Sequence, residues 1–499
     1  MSYRSRGRSR AGSVSPNSLP TIIARATFFA PLTSSLLLSK GTGSATFTRA
    51  TTATVVDFEG NVKLCKAEEA RFSGARRVEN LAPAGSFSGT ATVAGQVITY
   101  GANIGYAQKI ALSGISIAGK SFNGSVVLSS SNKDSILLRI FDATTATIIY
   151  QKLVTLTNVP TRHFVYGAFV SGTGLNMTLE NRAGIGGLVT TTAGSVTVDL
   201  DQVADVTGQS VQNIVEYVSS TENSTGALGV KYFETDYAGN PIPQATLKGY
   251  LAEGAATNLF LNSAVGVTQT TPALTAAPYT LSFKGTGSIT STGGFIGTLA
   301  GTGVANRVSL TVTASALAAV LTVTGSCTEV QFELGSFATS YIPTTTAAVT
   351  RDADVLTYPS AGNLSFSIGT AYADVYSTSS SYVGGRTQFF VGTNTGGRFL
   401  ESDTDTNLRV IDSATNIGSI TATGLAGRIA KIASSWGNGM HLTESGKTPS
   451  VKSAFAGMGA GIIGIGCTNT GFSQVGGNIR NVRLWTTQLT DSQLVTITS

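Results

Sequence analysis

Charge is scarce in this chain: of 499 residues, only 12% are Asp, Glu, Lys or Arg. His (2), Trp (2), Cys (3) and Met (4) are scarcer still. With two imidazoles, His163 and His441, a multi-histidine metal site has too few ligands, and a Ser-His-Asp relay would have to use one of them. His163 lies in the strand-like run Thr161-Arg-His-Phe-Val-Tyr166, and neither His has a nucleophile motif beside it, so both are expected in structural or exposed roles. Cys65, Cys327 and Cys467 lie far apart without paired spacing, which argues against a disulfide framework and a zinc site. Their odd number fits assembly in a reducing cytoplasm. No apolar run approaches the roughly 18 residues that a membrane span requires, and Met1-Ser-Tyr-Arg-Ser-Arg6 is not followed by the apolar segment of a secretion signal. Helical periodicity is nearly missing too.

What is present is Gly (58 residues) and a hydrophobic share of 41% rich in Val, Ile, Phe and Tyr, interleaved with Ser, Thr and Ala. That mixture excludes a disordered chain despite its low-complexity look. Runs such as Ser135-Ile-Leu-Leu-Arg-Ile-Phe141, Thr147-Ile-Ile-Tyr150, Ser195-Val-Thr-Val-Asp-Leu200, Val308-Ser-Leu-Thr-Val-Thr313, Ala319-Val-Leu-Thr-Val-Thr324 and Val330-Gln-Phe-Glu-Leu334 read as strands. Gly, Asn and Ser turns separate them. The fold class expected is all-β, with tandem β-sandwich, jelly-roll-like domains behind a short basic N-terminal arm. Helical turns are expected only at Lys66-Ala-Glu-Glu-Ala-Arg71 and after Leu489, where Thr490-Asp-Ser-Gln493 has the pattern of a cap.

The arm is where the charge asymmetry sits. Formal net charge is +6, and Arg4, Arg6, Arg8 and Arg10 supply +4 of it within twenty residues that contain no acid. Nucleic acid is therefore not an expected partner of the body, which lacks a basic face, and the arm is either a solvated tail or a peg for an acidic socket or packaged nucleic acid.

An internal repeat organises the rest. Phe47–Asn61 leads through Ala75-Arg-Arg-Val-Glu-Asn-Leu81 into a strand-rich body closing at Val211-Gln-Asn-Ile-Val-Glu-Tyr-Val218. Val230–Asn240 then leads through Leu247–Glu253 and Ala256-Thr-Asn-Leu259 into a second body closing at Val330–Pro343. A third unit opens with Val349-Thr-Arg-Asp-Ala-Asp354. The expected division is residues 1–20 as arm, 21–80 as an anchoring leader, 81–220 as first sandwich, 221–256 as linker, 257–346 as a smaller second sandwich and 347–499 as a third.

The run Glu333-Leu-Gly-Ser-Phe-Ala-Thr-Ser-Tyr-Ile-Pro-Thr-Thr345 followed by Val349–Asp354 closely resembles a segment of tailed-bacteriophage virion proteins with carbohydrate-binding-module-like sandwiches. Thr46-Phe-Thr-Arg-Ala-Thr51 and Leu247-Lys-Gly-Tyr-Leu-Ala-Glu253 with Thr257-Asn-Leu259 resemble the leaders of those proteins. The ending Val482-Arg-Leu-Trp485, then Leu489-Thr-Asp-Ser-Gln493, is similar to the last strand of concanavalin-A-like lectin sandwiches. The resemblance implies a virion appendage, a tail fibre or spike, made in the bacterial host cytoplasm and carried on the particle exterior. It further implies attachment through the N-terminus to tail, portal, adaptor or capsid proteins, a homo-oligomer, specifically a trimer, and a host cell-surface glycan as ligand. Capsid decoration or head-fibre protein and polysaccharide depolymerase are the alternatives left open.

No catalytic constellation and no cofactor motif stands out. Gly459-Ala-Gly-Ile-Ile-Gly464 satisfies G-x-G-x-x-G, yet β-like sequence follows where a dinucleotide site needs a helix. Asp403, Asp405 and Asn407 alternate like calcium ligands, but Leu408 replaces the turn glycine and the closing Glu is missing, so a polar hairpin is favoured over a metal site. Scattered acids such as Asp374, Glu401 and Glu444 define no glycosidase pair. Sugar binding needs exposed rings and hydrogen-bonding side chains, for which Tyr382, Trp436 and Asn438 beside Gly-rich turns are the candidates, with core packing as the alternative for the two aromatics. Abundant small side chains and low charge also suit close subunit contact.

Overall fold

A computed structural model describes residues 18–85, 87–114, 116–182, 190, 192–214, 216–377, 386–392, 398–404, 407–412, 417–421, 427–457, 461–468 and 474–499. The chain forms two compact units, one running over Met1–Ala53 and Lys248–Ser499 and the other over Thr54–Leu247. Nearly every regular element is a strand, so the fold is all-β and sandwich-built.

In the Thr54–Leu247 unit, eight strands follow in order: β1 (Val97–Tyr100), β2 (Tyr106–Ser113), β3 (Ser121–Ser129), β4 (Ser135–Asp142), β5 (Thr147–Thr155), β6 (Thr161–Ala168), β7 (Gly174–Glu180) and β8 (Gly194–Asp205). They form two antiparallel sheets, β5-β4-β7-β2 and β6-β3-β8-β1, with short flanking strands Ser88–Gly89 on β2 and Thr92–Ala94 on β1. This is the strand order of a jelly roll. Alternate residues of the strands face each other across a core that includes Ile98, Phe122, Val126, Ile136, Leu138, Ile140, Met177 and Leu179, as period-2 side-chain alternation requires.

The other unit contains a second sandwich of β9 (Gln269–Ala273), β10 (Pro278–Gly285), β11 (Ser288–Gly293), β12 (Gly297–Ala300), β13 (Gly303–Thr313), β14 (Ala318–Thr324) and β15 (Cys327–Leu334). Its sheets, β12-β11-β14-β9 and β13-β10-β15, repeat the first sandwich strand for strand from β2 onward. The repeat extends to hydrogen bonds. Asn80 donates to the carbonyls of Asp201 (3.1 Å) and Val218 (3.0 Å) and accepts from the amides of Ala82 (2.9 Å) and Val203 (3.2 Å). Asn258 does the same with Val330 (3.0 Å), Ile342 (2.8 Å), Phe260 (3.0 Å) and Phe332 (3.0 Å). The Gln202 side chain accepts from Val218 N at 2.8 Å, and that of Gln331 from Ile342 N at 2.7 Å. Arg162 donates to Ser125 and Arg307 to Ser282, both at 2.8 Å. These pairs correct the register of the sequence repeat: Gln331-Phe332 corresponds to Gln202-Val203 on the closing strand, and Ile342 to Val218 beyond it.

The third sandwich comprises β16 (Val355–Tyr358), β17 (Gly369–Ser377), β18 (Arg386–Gly392), β19 (Arg398–Thr404), β20 (Asn407–Ile411), β21 (Ile417–Thr421), β22 (Ile429–Gly437), β23 (Gly439–Glu444), β24 (Ser450–Lys452), β25 (Ile462–Ile465) and β26 (Gly477–Trp485). One sheet runs β24-β23-β22-β17-β26, the other β16-β25-β18-β19-β20-β21. Segments distant in sequence complete both: Phe28–Ala30 and Gly249–Ala252 pair with β26, and Thr46–Thr48 pairs with β16. The leader expected at 21–80 thus divides between the units after Ala53.

Two helices are present among the described residues, α1 (Leu19–Ala24) and α2 (Asp491–Thr498). Thr490 and Gln493 form a reciprocal capping box on α2, which runs past the single turn expected. Sequence reading missed α1, whose Ile22 packs with Trp485, Leu489, Leu494 and Ile497. Lys66–Arg71 is not a helix. Glu69 turns back to accept from the Lys66 amide at 2.9 Å and is held in a buried ion pair by Arg77, with Glu68 at φ 60°.

The segments that carry the virion resemblance meet at one buried junction. Arg49 pairs with Asp354 at 2.8 Å, whose second oxygen accepts from the Glu253 amide at 3.0 Å. Arg351 lies 3.5 Å from the Glu253 carboxylate and 3.6 Å from that of Asp354. Glu253 accepts from Ser340 N (2.7 Å) and Oγ (2.6 Å). A leader, the exit of the second sandwich and the opening of the third are thereby tied together by charges removed from water, where losing one partner costs about 3–5 kcal/mol.

Candidate functional site

The outward face of β5-β4-β7-β2 departs from what a sheet facing solvent shows. Residues opposite the core form three rows across the four strands: Leu153, Leu137, Glu180 and Tyr106; Gln151, Arg139, Thr178 and Gln108; Ile148, Phe141, Asn176 and Ile110. Five of the six residues on the two central strands, Leu137, Arg139, Asn176, Thr178 and Glu180, are no more than 5% exposed. On the outer strands Gln108, Gln151 and Tyr106 are half-buried, and Ile110 and Leu153 exposed. The face is thus enclosed at its centre and open at its margins.

Its polar groups are partly engaged. Arg139 pairs with Glu180 through Nη1, and Arg182 donates to the same carboxylate oxygen at 2.6 Å. That hydrogen bond holds the Arg182 guanidinium above its ordinary pKa. The amide nitrogen of Asn176 donates to Gln108 at 3.2 Å. Among the described residues, two buried atoms of this face have no partner, Arg139 Nε and Asn176 Oδ1. A donor and an acceptor left unsatisfied on adjacent rows each cost about 1–3 kcal/mol, and both lie beneath the surface of the face rather than open on it. The signal in the sequence was polar residues at alternate strand positions. Alternation gives the face they occupy and not that its centre is enclosed.

The sugar-binding residues expected from sequence are distributed otherwise. Trp436 is fully buried, its Nε1 donating to the Ser365 carbonyl at 3.2 Å. Its cross-strand partner is Gly369, where any Cβ would collide with the indole. No face of the ring is open to a sugar, and the core alternative holds for it. Asn438 is exposed, with its backbone N–H donating to Gln488 at 2.9 Å. Tyr382, Asp405 and the arm residues Arg4, Arg6, Arg8 and Arg10 lie outside the described residues. Asp403 is on β19, and Asn407 opens β20 opposite Thr404.

Of the remaining chemical candidates, Asp374, Glu444 and His441 are engaged within the fold, and Glu401 lies on β19. Asp374 accepts from Arg480 (3.3 Å), Asn481 (2.8 Å) and Tyr372 (2.5 Å). Glu444 is paired with Arg428 (2.5 Å) and Lys447 (3.1 Å). His441 meets Asp491 at 2.6 Å. Half-buried His163 has its pKa lowered by desolvation and then by Lys152. Of the glycine run at 459–464, Ile462–Gly464 lie on strand β25, and residues 459 and 460 lie outside the described residues.

The fold and face define a protein of repeated β-sandwiches with a polar, partly unsatisfied sheet surface. No protein-family model matches the chain, and no curated protein matches it.

Proposed function

We propose that the protein is a non-catalytic structural and binding component of a tailed-phage particle that holds a cell-surface glycan on the outward face of β5-β4-β7-β2. The observation that carries the binding role is the accessible margin of this face, where Tyr106, Gln108, Phe141 and Gln151 are half-buried around the polar centre of Arg139, Asn176, Thr178 and Glu180. Planar amide and guanidinium groups beside rings suit hydroxyl-rich ligands. Four strands at about 4.8 Å spacing give a track roughly 15 Å across. Support for a place on a particle comes from the resemblance of Thr46–Thr51, Leu247–Glu253, Glu333–Thr345 and Val349–Asp354 to virion proteins. The junction formed by Arg49, Glu253, Ser340, Arg351 and Asp354 gives those segments an architectural role.

Electron microscopy of tailed particles labelled with antibodies to the protein tests the placement. Label at the tail supports an appendage, label over the head lattice a decoration or head-fibre protein, and the lack of label on particles containing no trace of the chain contradicts the proposal.

A further inference from the structure

The polar face of the first sandwich carries a charge that its own row residues leave uncompensated. Glu180 lies on β7 directly opposite Tyr106 of β2, with its side chain 6% exposed. Its carboxylate is already neutralised by the buried Arg139, yet Arg182 Nε donates to the same oxygen at 2.6 Å. The residues of the three rows, taken with Arg182, hold two guanidiniums and one carboxylate, a net charge of +1. The side chain of Arg182 is 54% exposed, and among the described residues neither of its terminal nitrogens has a hydrogen-bond or ion-pair partner. Held at Nε, the guanidinium leaves its two Nη groups available as a fork. Half-buried Tyr106 stands within electrostatic reach of it.

The corresponding face of the second sandwich shows that the jelly roll itself requires no such group. Its rows are Ala300, Ser288 and Thr324, then Thr298, Thr290 and Thr322; all but the half-buried Ser288 are exposed, and none is charged. A surface ion pair contributes only about 0–1 kcal/mol, so stability alone gives Arg182 little to do.

We infer that Arg182 makes this face selective for acidic glycans, its open fork taking the carboxylate or phosphate group of a sugar unit that lies over Tyr106. The inference rests on the glycan reading of the face and names the class of glycan. Arginine makes two parallel N–H···O bonds to a carboxylate or a phosphate, and such charge-assisted bonds are roughly twice as strong as neutral ones. The Glu180 contact holds the guanidinium before the ligand arrives, which removes part of the ordering cost of binding. A uronate carries its carboxylate at the edge of the sugar ring, so stacking that ring on an aromatic face leaves the acid free for a neighbouring cation. A neutral sugar would leave the fork unused.

Binding of the full chain to an array of bacterial surface polysaccharides, sorted into uronate-bearing, phosphate-bearing and neutral, tests it at about 0.15 M salt, where diffuse attraction is screened. The wild type is expected to hold an acidic polysaccharide at least tenfold more tightly than any neutral one, uronate-bearing if the fork takes carboxylate and phosphate-bearing if it takes phosphate. Arg182→Gln should abolish that preference with unchanged thermal unfolding. Arg182→Lys, which keeps the charge and loses the fork, should restore less than half of it. Lys452→Gln removes the same charge from an exposed position at the end of β24 and should leave the preference intact. Equal binding of neutral and acidic polysaccharides, or an acidic preference unchanged in folded Arg182→Gln, overturns the inference and leaves the glycan reading standing. Retention of no polysaccharide by the wild type overturns both.

Discussion

Asn80 and Asn258 show how one side chain can seal a sandwich. Each satisfies two carbonyls and two amides that belong to three separate backbone segments. Replacing Asn258, which is fully buried, by Ala strands all four groups, each worth about 1–3 kcal/mol when unsatisfied. Asn258→Ala is expected to cost at least about 3 kcal/mol in urea unfolding, a loss in the exceptional range for a point mutation. A second residue-scale prediction concerns acid. Although desolvation opposes it, hydrogen bonds from Ser445, Arg428 and Lys447 pull the Glu444 carboxyl down to about 2 from 4.5. A depressed folded-state pKa gives stability that is complete above the unfolded value and lost as pH falls through the folded one. The wild type should therefore lose stability between pH 5 and 2, by on the order of 3 kcal/mol from this group, and Glu444→Gln should flatten that part of the profile. The Asn-Leu openings were legible in the sequence because they recur. Trp436 was not, since nothing near it in sequence shows that Gly369 faces it across two strands.

At the scale of elements, the strands were the most legible part. Ser135–Phe141 matches β4 to within one residue, because alternation and β-branching act locally. The cap at Thr490 was legible for the same reason. What local pattern could not supply was pairing over long separations: Phe28–Ala30 adds to β26, the Thr27 amide donates to Leu484 O at 2.8 Å, and Trp485 Nε1 donates to Ile22 O at 2.9 Å. The segment Ile22–Ala30 is therefore tied to the third sandwich. Removing residues 1–17, which carry Arg4, Arg6, Arg8 and Arg10, is expected to abolish incorporation into particles. Removing residues 1–30 exposes Trp485 and an edge of β26 and should lower the melting temperature of the Lys248–Ser499 part by several degrees in calorimetry, a loss of a few kcal/mol. Full incorporation of the shorter truncation would defeat the anchoring role of the arm.

Across the whole molecule, the same jelly-roll order occurs twice with different outer faces, one enclosed and polar, the other open and uncharged. A shared core with a divergent face is how one scaffold serves separate tasks. The all-β class was readable from composition and alternation, whereas the polar face was not, because it depends on residues from four strands brought into register. Thr54–Leu247 contains its own core clusters and is expected to unfold cooperatively as an isolated chain. The most direct measurement is binding of the full chain to an array of bacterial surface polysaccharides, compared with Asn176→Ala and Gln108→Ala, which leave the Arg139–Glu180 pair in place. The wild type is expected to retain a defined glycan, and both variants to weaken that binding at least tenfold with unchanged unfolding. Wild-type retention by both folded variants, or no retention of any polysaccharide by the wild type, would contradict it.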